Sequence, residues 1–213
     1  MEGPAWAIAL QRSFNTNRIL EQSSILSIAT LHNGAPSIYP IRFQSFYSPT
    51  SFTIHLDTRS ILCGDLQNPV CQILWYLPLT NEIFKFDCPI LNFLPSHHEY
   101  RVNEWKKLKQ KEKNAYCGLP PDTYKESEGS RLEYDINNFN AQNAEEVSEH
   151  FEVLIVTPIN VDHTVYLDKS AIGNTRKTYE SLPQPDAVSK RWVHRKHDHV
   201  WVAREMNIPA PRP

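Results

Sequence analysis

Several features that mark membrane or secreted proteins are scarce in this chain of 213 residues. Its longest largely apolar run, Val70 to Leu79, is interrupted by Gln72 and Pro78, and it is shorter than the roughly 18 residues that span a bilayer. The first nine residues contain Glu2 and no basic residue, which differs from a secretory signal. We therefore expect no membrane partner and a cytoplasmic protein, small enough at 24.7 kDa to enter the nucleus as well.

The chain has few cysteines and almost no net charge. Its four cysteines contain no Cys-x-x-Cys pair, which favours free thiols in a reducing compartment over disulfides: Cys63, Cys71, Cys88 and Cys117. The formal net charge of −2 provides no dedicated basic surface, so a nucleic-acid-binding barrel with a basic, aromatic face is not expected.

Familiar catalytic motifs are missing too. The sequence has no glycine-rich phosphate loop, no Gly-x-Ser-x-Gly elbow and no His-Glu-x-x-His motif. His194, His197 and His199 have the chemistry of metal ligands, but they alternate with arginine, lysine and aspartate as solvated surface residues do. We assign no metal site and no catalytic residue from the sequence.

The chain does contain a series of short segments with regular patterns of apolar and polar residues. Pro4 followed by Trp6, Leu10 and Phe14 predicts an amphipathic N-terminal helix. The Asn33-Gly34 dipeptide predicts a β-hairpin turn. Alternation predicts strands over Ser24–Leu31, Ile38–Gln44, Phe52–Asp57, Val70–Leu77, Glu82–Asp87, Phe151–Pro158, Val161–Asp168, Lys190–Lys196 and Val200–Met206.

Helices are few in this pattern. We predict a short helix over Ser60–Gln67, ended by Asn68-Pro69, and a charged helix over Glu99–Asn114. The polar stretch Leu119–Glu145 reads as a surface excursion. Short strands without a βαβ rhythm favour a closed or partly closed antiparallel barrel.

The order of these segments resembles the pyridoxamine 5′-phosphate oxidase-like, FMN-binding split barrels. The similarity covers most of the chain outside about residues 115–150. It rests on several short motifs in a fixed order: His32-Asn-Gly-Ala-Pro36, Asp57-Thr-Arg-Ser60, Asn68-Pro69, Leu74-Trp-Tyr-Leu-Pro78 with Thr80, Ile83-Phe-Lys-Phe86, Val161-Asp-His163, Arg191-Trp-Val-His194, and Trp201 to Pro209.

The resemblance implies a mainly β fold with flanking helices, a six-stranded antiparallel split barrel that forms a homodimer. We expect one domain over residues 1–213, with a barrel core at about 22–96 and 150–208 and a helical, polar excursion at about 97–149. FMN would lie at each of two subunit interfaces. The implied activity is oxidation of pyridoxamine or pyridoxine 5′-phosphate to pyridoxal 5′-phosphate, while the physiological substrate stays unidentified.

Carried over position by position, the resemblance yields an incomplete set of cofactor contacts. The candidates are Tyr39, Pro40, Ile41, His55, Thr58, Arg59, Ser60 and Arg191. Two basic residues of the family pattern are replaced, because its phosphate-binding arginine falls at Tyr39 and its phosphate-binding lysine at Leu62. A flavin-contacting glutamine falls at Ile83, and Pro40 has no N–H to donate.

These departures support an alternative function. The chain would then be a split-barrel paralogue that has lost catalysis, binds FMN weakly or not at all, and serves as a binding or interaction protein. Ser60 would be a helix cap with Arg59 as its solvated neighbour, and Arg191 an exposed strand residue. Trp75, Tyr76 and Trp201 would be core or dimer-interface aromatics.

Overall fold

The computed structural model describes residues 3–67, 71–88, 91–118, 120–121, 146–167, 188–197 and 200–206. The predicted excursion over 119–145 lies, apart from residues 120–121, outside this range. The elements are α1 (Ala5–Asn17), β1 (Ile25–His32), β2 (Ala35–Ser48), β3 (Ser51–Asp57), α2 (Ile61–Asp65), β4 (Gln72–Leu77), β5 (Glu82–Asp87), β6 (Leu91–Phe93), α3 (Glu99–Lys107), α4 (Gln110–Cys117), β7 (Phe151–Val156), β8 (Asn160–Leu167), β9 (Val188–His197) and β10 (Val200–Met206), with a 3₁₀ turn at Glu21–Ser24. The mainly β prediction is confirmed.

The strands pair antiparallel throughout, in the order β10-β9-β8-β5-β4-β1-β2-β3-β7-β6. The predicted number of six strands is wrong, since the described segments form ten strands in an open order. The β9–β10 hairpin extends one end of the sheet past β8, and the short β6, which alternation did not predict, pairs with β7 at the other end.

One strand turns the sheet around its core. The first half of β2 pairs with β1, from Ala35 opposite His32 to Arg42 opposite Ile25. Its second half pairs with β3, and the register shifts between Phe43 and Ser45. An irregularity of this kind bends a strand and increases its twist, so two sheet segments share β2 as their corner.

The predicted hairpin turn is confirmed. Asn33 and Gly34 both have positive φ angles, 51° and 81°. A two-residue turn of this type matches the right-handed twist of the flanking strands, and asparagine followed by glycine tolerates it best.

The predicted helix over Glu99–Asn114 is instead two helices. Leu108 is extended, with ψ at 139°, and it separates α3 from α4. The Lys109 N–H donates to the Glu112 carboxylate at 2.8 Å, which satisfies a free donor at the start of α4. Within the ranges given above, no helix is long and apolar enough to cross a bilayer.

The core lies between α1 and the inner face of the sheet, and it is rich in aromatic rings. Trp75 is fully buried, 5.4 Å from the Phe14 ring of α1, and its indole N–H donates to the Ser23 carbonyl at 2.7 Å. Trp201 packs on Trp6 with ring centroids 5.3 Å apart. Trp75 is therefore a core residue, whereas Tyr76 points to the opposite face and is 40% exposed.

Candidate functional site

The residues at the predicted cofactor positions form several separate groups. Tyr39, at the middle of β2, is half-buried beside the core, and its hydroxyl donates to the Asp65 carboxylate at 2.6 Å. Asp65 is the last residue of α2 and only 8% exposed. The same carboxylate contacts His32 Nδ1 at 2.8 Å, at the end of β1. Three elements thus meet at one buried carboxylate.

Asp65 is ionised at neutral pH. Burial raises the pKa of its carboxyl, but the hydrogen bonds from Tyr39 and His32 and the nearby imidazole together hold it below the ordinary value. An ionised carboxylate only accepts, so His32 Nδ1 carries the proton in this contact. Its other nitrogen, Nε2, lies 3.1 Å from the Asn33 amide nitrogen.

Arg59 is held within the chain instead of pointing into solvent. Its Nε and Nη2 groups donate to the two oxygens of Asp57 at 2.9 and 2.7 Å. Nη1 donates to the Gly118 carbonyl at 2.7 Å and Nη2 to the Tyr116 carbonyl at 3.2 Å, both at the end of α4. The expectation of a solvated arginine is therefore wrong, because carbonyl groups at the end of α4 accept hydrogen bonds from the guanidinium.

The residues on either side of Arg59 have structural roles. Ser60 is the N-cap of α2, as the alternative interpretation of the sequence predicts: its hydroxyl accepts from the Cys63 N–H at 3.2 Å and donates to the Asp57 carbonyl at 2.7 Å. The Thr58 N–H donates to the His150 carbonyl at 3.0 Å, and Thr58 is exposed. Leu62, at the position of the expected lysine, is buried in the core.

His55 faces a second apolar cluster beneath α3, which contains Trp105 and Phe151. Its side chain is 5% exposed, and Nε2 lies 3.3 Å from the Glu104 carboxylate. Burial lowers the pKa of His55, and the lowering exceeds the opposing effect of Glu104. A neutral imidazole covered by α3 carries no charge for an anionic ligand.

The remaining candidates lie on different faces of the sheet. Ile41 is buried in the core, and Pro40 is exposed opposite Ser27. Arg191 is exposed on β9, where its guanidinium forms a bidentate pair with Asp162 on β8, Nε donating at 2.8 Å. Four strands separate β9 from β2 in the sheet order. Arg191 pairs with Asp162 of a neighbouring strand, whereas Tyr39 donates to Asp65 of α2, so the two candidates have different partners in this chain.

Sequence reasoning missed Asp65 and His32 as members of this site. They are 33 residues apart, and only the docking of α2 against the β1–β2 hairpin joins them. Sequence reasoning also missed a buried polar cluster beside the C-terminal half of α1. There the Glu82 carboxylate accepts from the Ser13 hydroxyl at 2.6 Å and contacts His163 Nε2 at 2.7 Å. No local motif marks either cluster.

The donor set fits a flavin phosphate poorly. A phosphate dianion is held by free arginine or lysine side chains with hydroxyl and backbone donors. Among the candidates, both arginines are already paired with aspartates, the Ser60 hydroxyl caps a helix, and Tyr39 donates to an anion. Over the described part of the chain there is also no cluster of three or more His, Cys, Asp or Glu side chains suited to a metal ion.

No protein-family model matches this sequence, and no curated protein matches it. Solved structures do. A pyridoxamine 5′-phosphate oxidase-related, FMN-binding protein from Nostoc punctiforme aligns with a TM-score of 0.75 at 22% identity, covering 98% of this chain and all of that one. PhzG from Burkholderia lata, solved in complex with tetrahydrophenazine-1-carboxylic acid, aligns with a TM-score of 0.70 at 13% identity, covering 94% of this chain and 91% of that one. The resemblance seen in the sequence is thus confirmed at the level of the fold, which this chain shares with pyridoxamine 5′-phosphate oxidase-related, FMN-binding proteins.

Proposed function

We propose that this chain is a pyridoxamine 5′-phosphate oxidase-like protein that does not work as an FMN-dependent oxidase and acts as a binding protein. One observation carries the proposal: the two arginines at candidate phosphate positions, Arg59 and Arg191, are each neutralised by an aspartate of the same chain. A phosphate that recruited either guanidinium would have to displace a bidentate carboxylate, which removes most of the gain.

The protein would act as a homodimer. The outer face of β1, β2 and β4 exposes a group of apolar side chains on one side of the sheet: Ile25, Ile38, Leu74 and Tyr76, exposed by 45, 72, 44 and 40%. A two-fold pairing of this face would cover the group with the same residues of a second copy. Sedimentation of the wild type as a dimer, and of Ile38→Asp as a monomer, supports this arrangement. Monomeric wild type contradicts it.

FMN-dependent oxidation of pyridoxamine or pyridoxine 5′-phosphate is the second candidate. The shared fold favours it, because the Nostoc structure is described as FMN-binding. Two charge-assisted contacts are missing at positions 39 and 62, and each is worth about 1.5–3 kcal/mol, so the expected affinity for FMN falls by roughly a hundredfold or more.

The cofactor content of the purified protein decides between the two candidates. We expect a colourless protein with far less than one FMN per chain by mass spectrometry, and no oxidation of pyridoxamine 5′-phosphate when FMN is added. Two variants test whether the residue at position 39 limits FMN binding. Tyr39→Arg restores a cation there, and Tyr39→Phe, which adds no charge, is its matched control. Stoichiometric FMN that stays bound to the wild type through gel filtration contradicts the proposal.

A further inference from the structure

Two of the four cysteines lie opposite each other at one end of the β4–β5 pair. These strands pair with Gln72 opposite Asp87, so the next position places Cys71 opposite Cys88. The Cys88 N–H donates to the Cys71 carbonyl at 2.9 Å, which shows that the ladder continues by this one rung. Side chains directly opposite in an antiparallel pair point to the same face of the sheet. The two thiols are therefore neighbours in the folded chain.

Both thiols belong to the main core of the protein. Cys71 is 4% exposed and Cys88 is fully buried, on the inner face beside the adjacent pair Ile73 and Phe86. Opposite residues joined by a hydrogen bond have Cα atoms about 5.5 Å apart, within the range of about 4.4–6.8 Å that a disulfide spans. An S–S bond can therefore form here with little movement of the backbone. In the structure both cysteines are reduced.

Burial protects this pair while the rung is closed. It raises the pKa of Cys71 to about 12, and it raises the pKa of Cys88 well above its ordinary value. Because the thiolate is the reactive form, both thiols are poor nucleophiles in the closed sheet. The pair lies just outside the two strands, before Gln72 and after Asp87, and the end of a ladder opens at a lower cost than its centre. We therefore expect the thiols to react when this end of the ladder opens.

We propose that Cys71 and Cys88 are a redox-sensitive pair, which hydrogen peroxide converts into a reversible cross-strand disulfide. The thiolate of one cysteine attacks a peroxide oxygen, the O–O bond breaks, and a sulfenic acid and one water are formed. The second sulfur attacks the sulfenic sulfur, the S–S bond forms, and the hydroxyl group leaves as a second water. The two thiols thus lose two electrons and two protons, which reduce one peroxide to two waters. The inference is independent of the proposed function, since no flavin takes part.

Peroxide treatment of the reduced, full-length protein tests the proposal. The remaining thiols are then alkylated with N-ethylmaleimide in denaturant, and the chain is mapped by mass spectrometry. We expect two peptides joined through Cys71 and Cys88, about 2 Da lighter than the two reduced peptides together. Dithiothreitol should separate them again.

Two double variants distinguish this pair from the other cysteines, Cys63 and Cys117, which are both partly exposed. Cys63→Ser with Cys117→Ser keeps the buried pair. Peroxide should still form the disulfide in this variant and raise its urea midpoint by about 1 M, because the bond restricts the unfolded chain. Cys71→Ala with Cys88→Ala is the matched control, in which peroxide should form no disulfide and leave the midpoint unchanged. Circular dichroism confirms that each variant folds.

The peptide map of the wild type needs no substitution, so it decides the question even where a variant fails to fold. The proposal is overturned if Cys71 and Cys88 are still reduced after prolonged treatment with excess peroxide. Oxidation of either residue to a sulfinic acid without a disulfide also overturns it. So does a disulfide that forms only at urea concentrations that unfold the protein.

Discussion

Glu82 links the N-terminal helix to the sheet, and replacing it tests how the core polar network contributes to stability. It begins β5 and is 3% exposed. One carboxylate oxygen accepts from the Ser13 hydroxyl of α1 at 2.6 Å, and the other lies 2.7 Å from His163 Nε2 on β8. The His163 ring in turn stacks on Phe84, with ring centroids 4.2 Å apart. The substitution Glu82→Gln keeps the shape and removes the charge.

The expected loss follows from the two contacts. Both are short hydrogen bonds to an ionised group, a type worth about 1.5–3 kcal/mol each. A glutamine amide retains one acceptor oxygen but turns an NH₂ group toward the other donor, so we expect a loss of about 2–4 kcal/mol in the free energy of unfolding. For a chain of this size the melting temperature should fall by about 5–12 °C.

The effect of Glu82 should also depend on pH. Burial raises the pKa of this carboxyl, but hydrogen bonds from His163 and Ser13 and the nearby charges of His163 and Arg12 bring it below the ordinary value. A carboxyl with a lowered pKa in the folded state stabilises the protein fully above the unfolded pKa of about 4.3, and that contribution is lost as the pH falls further. The wild type should therefore lose more stability than Glu82→Gln between about pH 5 and pH 3.

Urea denaturation followed by circular dichroism at several pH values measures both effects. Ser13→Ala is the control for the first contact, and it should cost about 1 kcal/mol because it removes one donor and leaves the charge paired with His163. Two results would refute the reasoning. One is a loss under about 0.5 kcal/mol in the free energy of unfolding of Glu82→Gln, and the other is an equal loss of stability in both proteins as the pH falls from about 5 to 3.

Three further predictions follow from the paired and buried charges. Arg59→Gln should lower the free energy of unfolding by about 1–3 kcal/mol in urea, because the Asp57 carboxylate and the end of α4 lose their donor. The pKa of His194 is lowered by burial and by His163, so the wild type should lose stability relative to His194→Leu as the pH falls below about 6.5. Asp162→Asn breaks a largely exposed pair with Arg191 and should change the melting temperature by under about 3 °C, by differential scanning calorimetry.

Much of the fold could be predicted because it depends on interactions between residues close together in the sequence. Alternation of apolar residues located most of the strands, and the Asn33-Gly34 turn follows from the tolerance of these two residues for positive φ. Ser60 is predictable as a helix cap because capping depends on residues three positions apart. The order of short motifs pointed to the correct fold, which the structural comparisons confirm.

The number of strands and the state of the candidate site depend on long-range contacts. Alternation cannot show that β6 pairs with β7, since three residues carry too little pattern. Nothing near Arg59 in the sequence shows that the end of α4, more than 50 residues later, receives its guanidinium. Asp65 meets Tyr39 and His32 only when α2 docks on the hairpin. Residue types determine which charges a site can hold, whereas tertiary packing determines which of those charges are already neutralised within the chain.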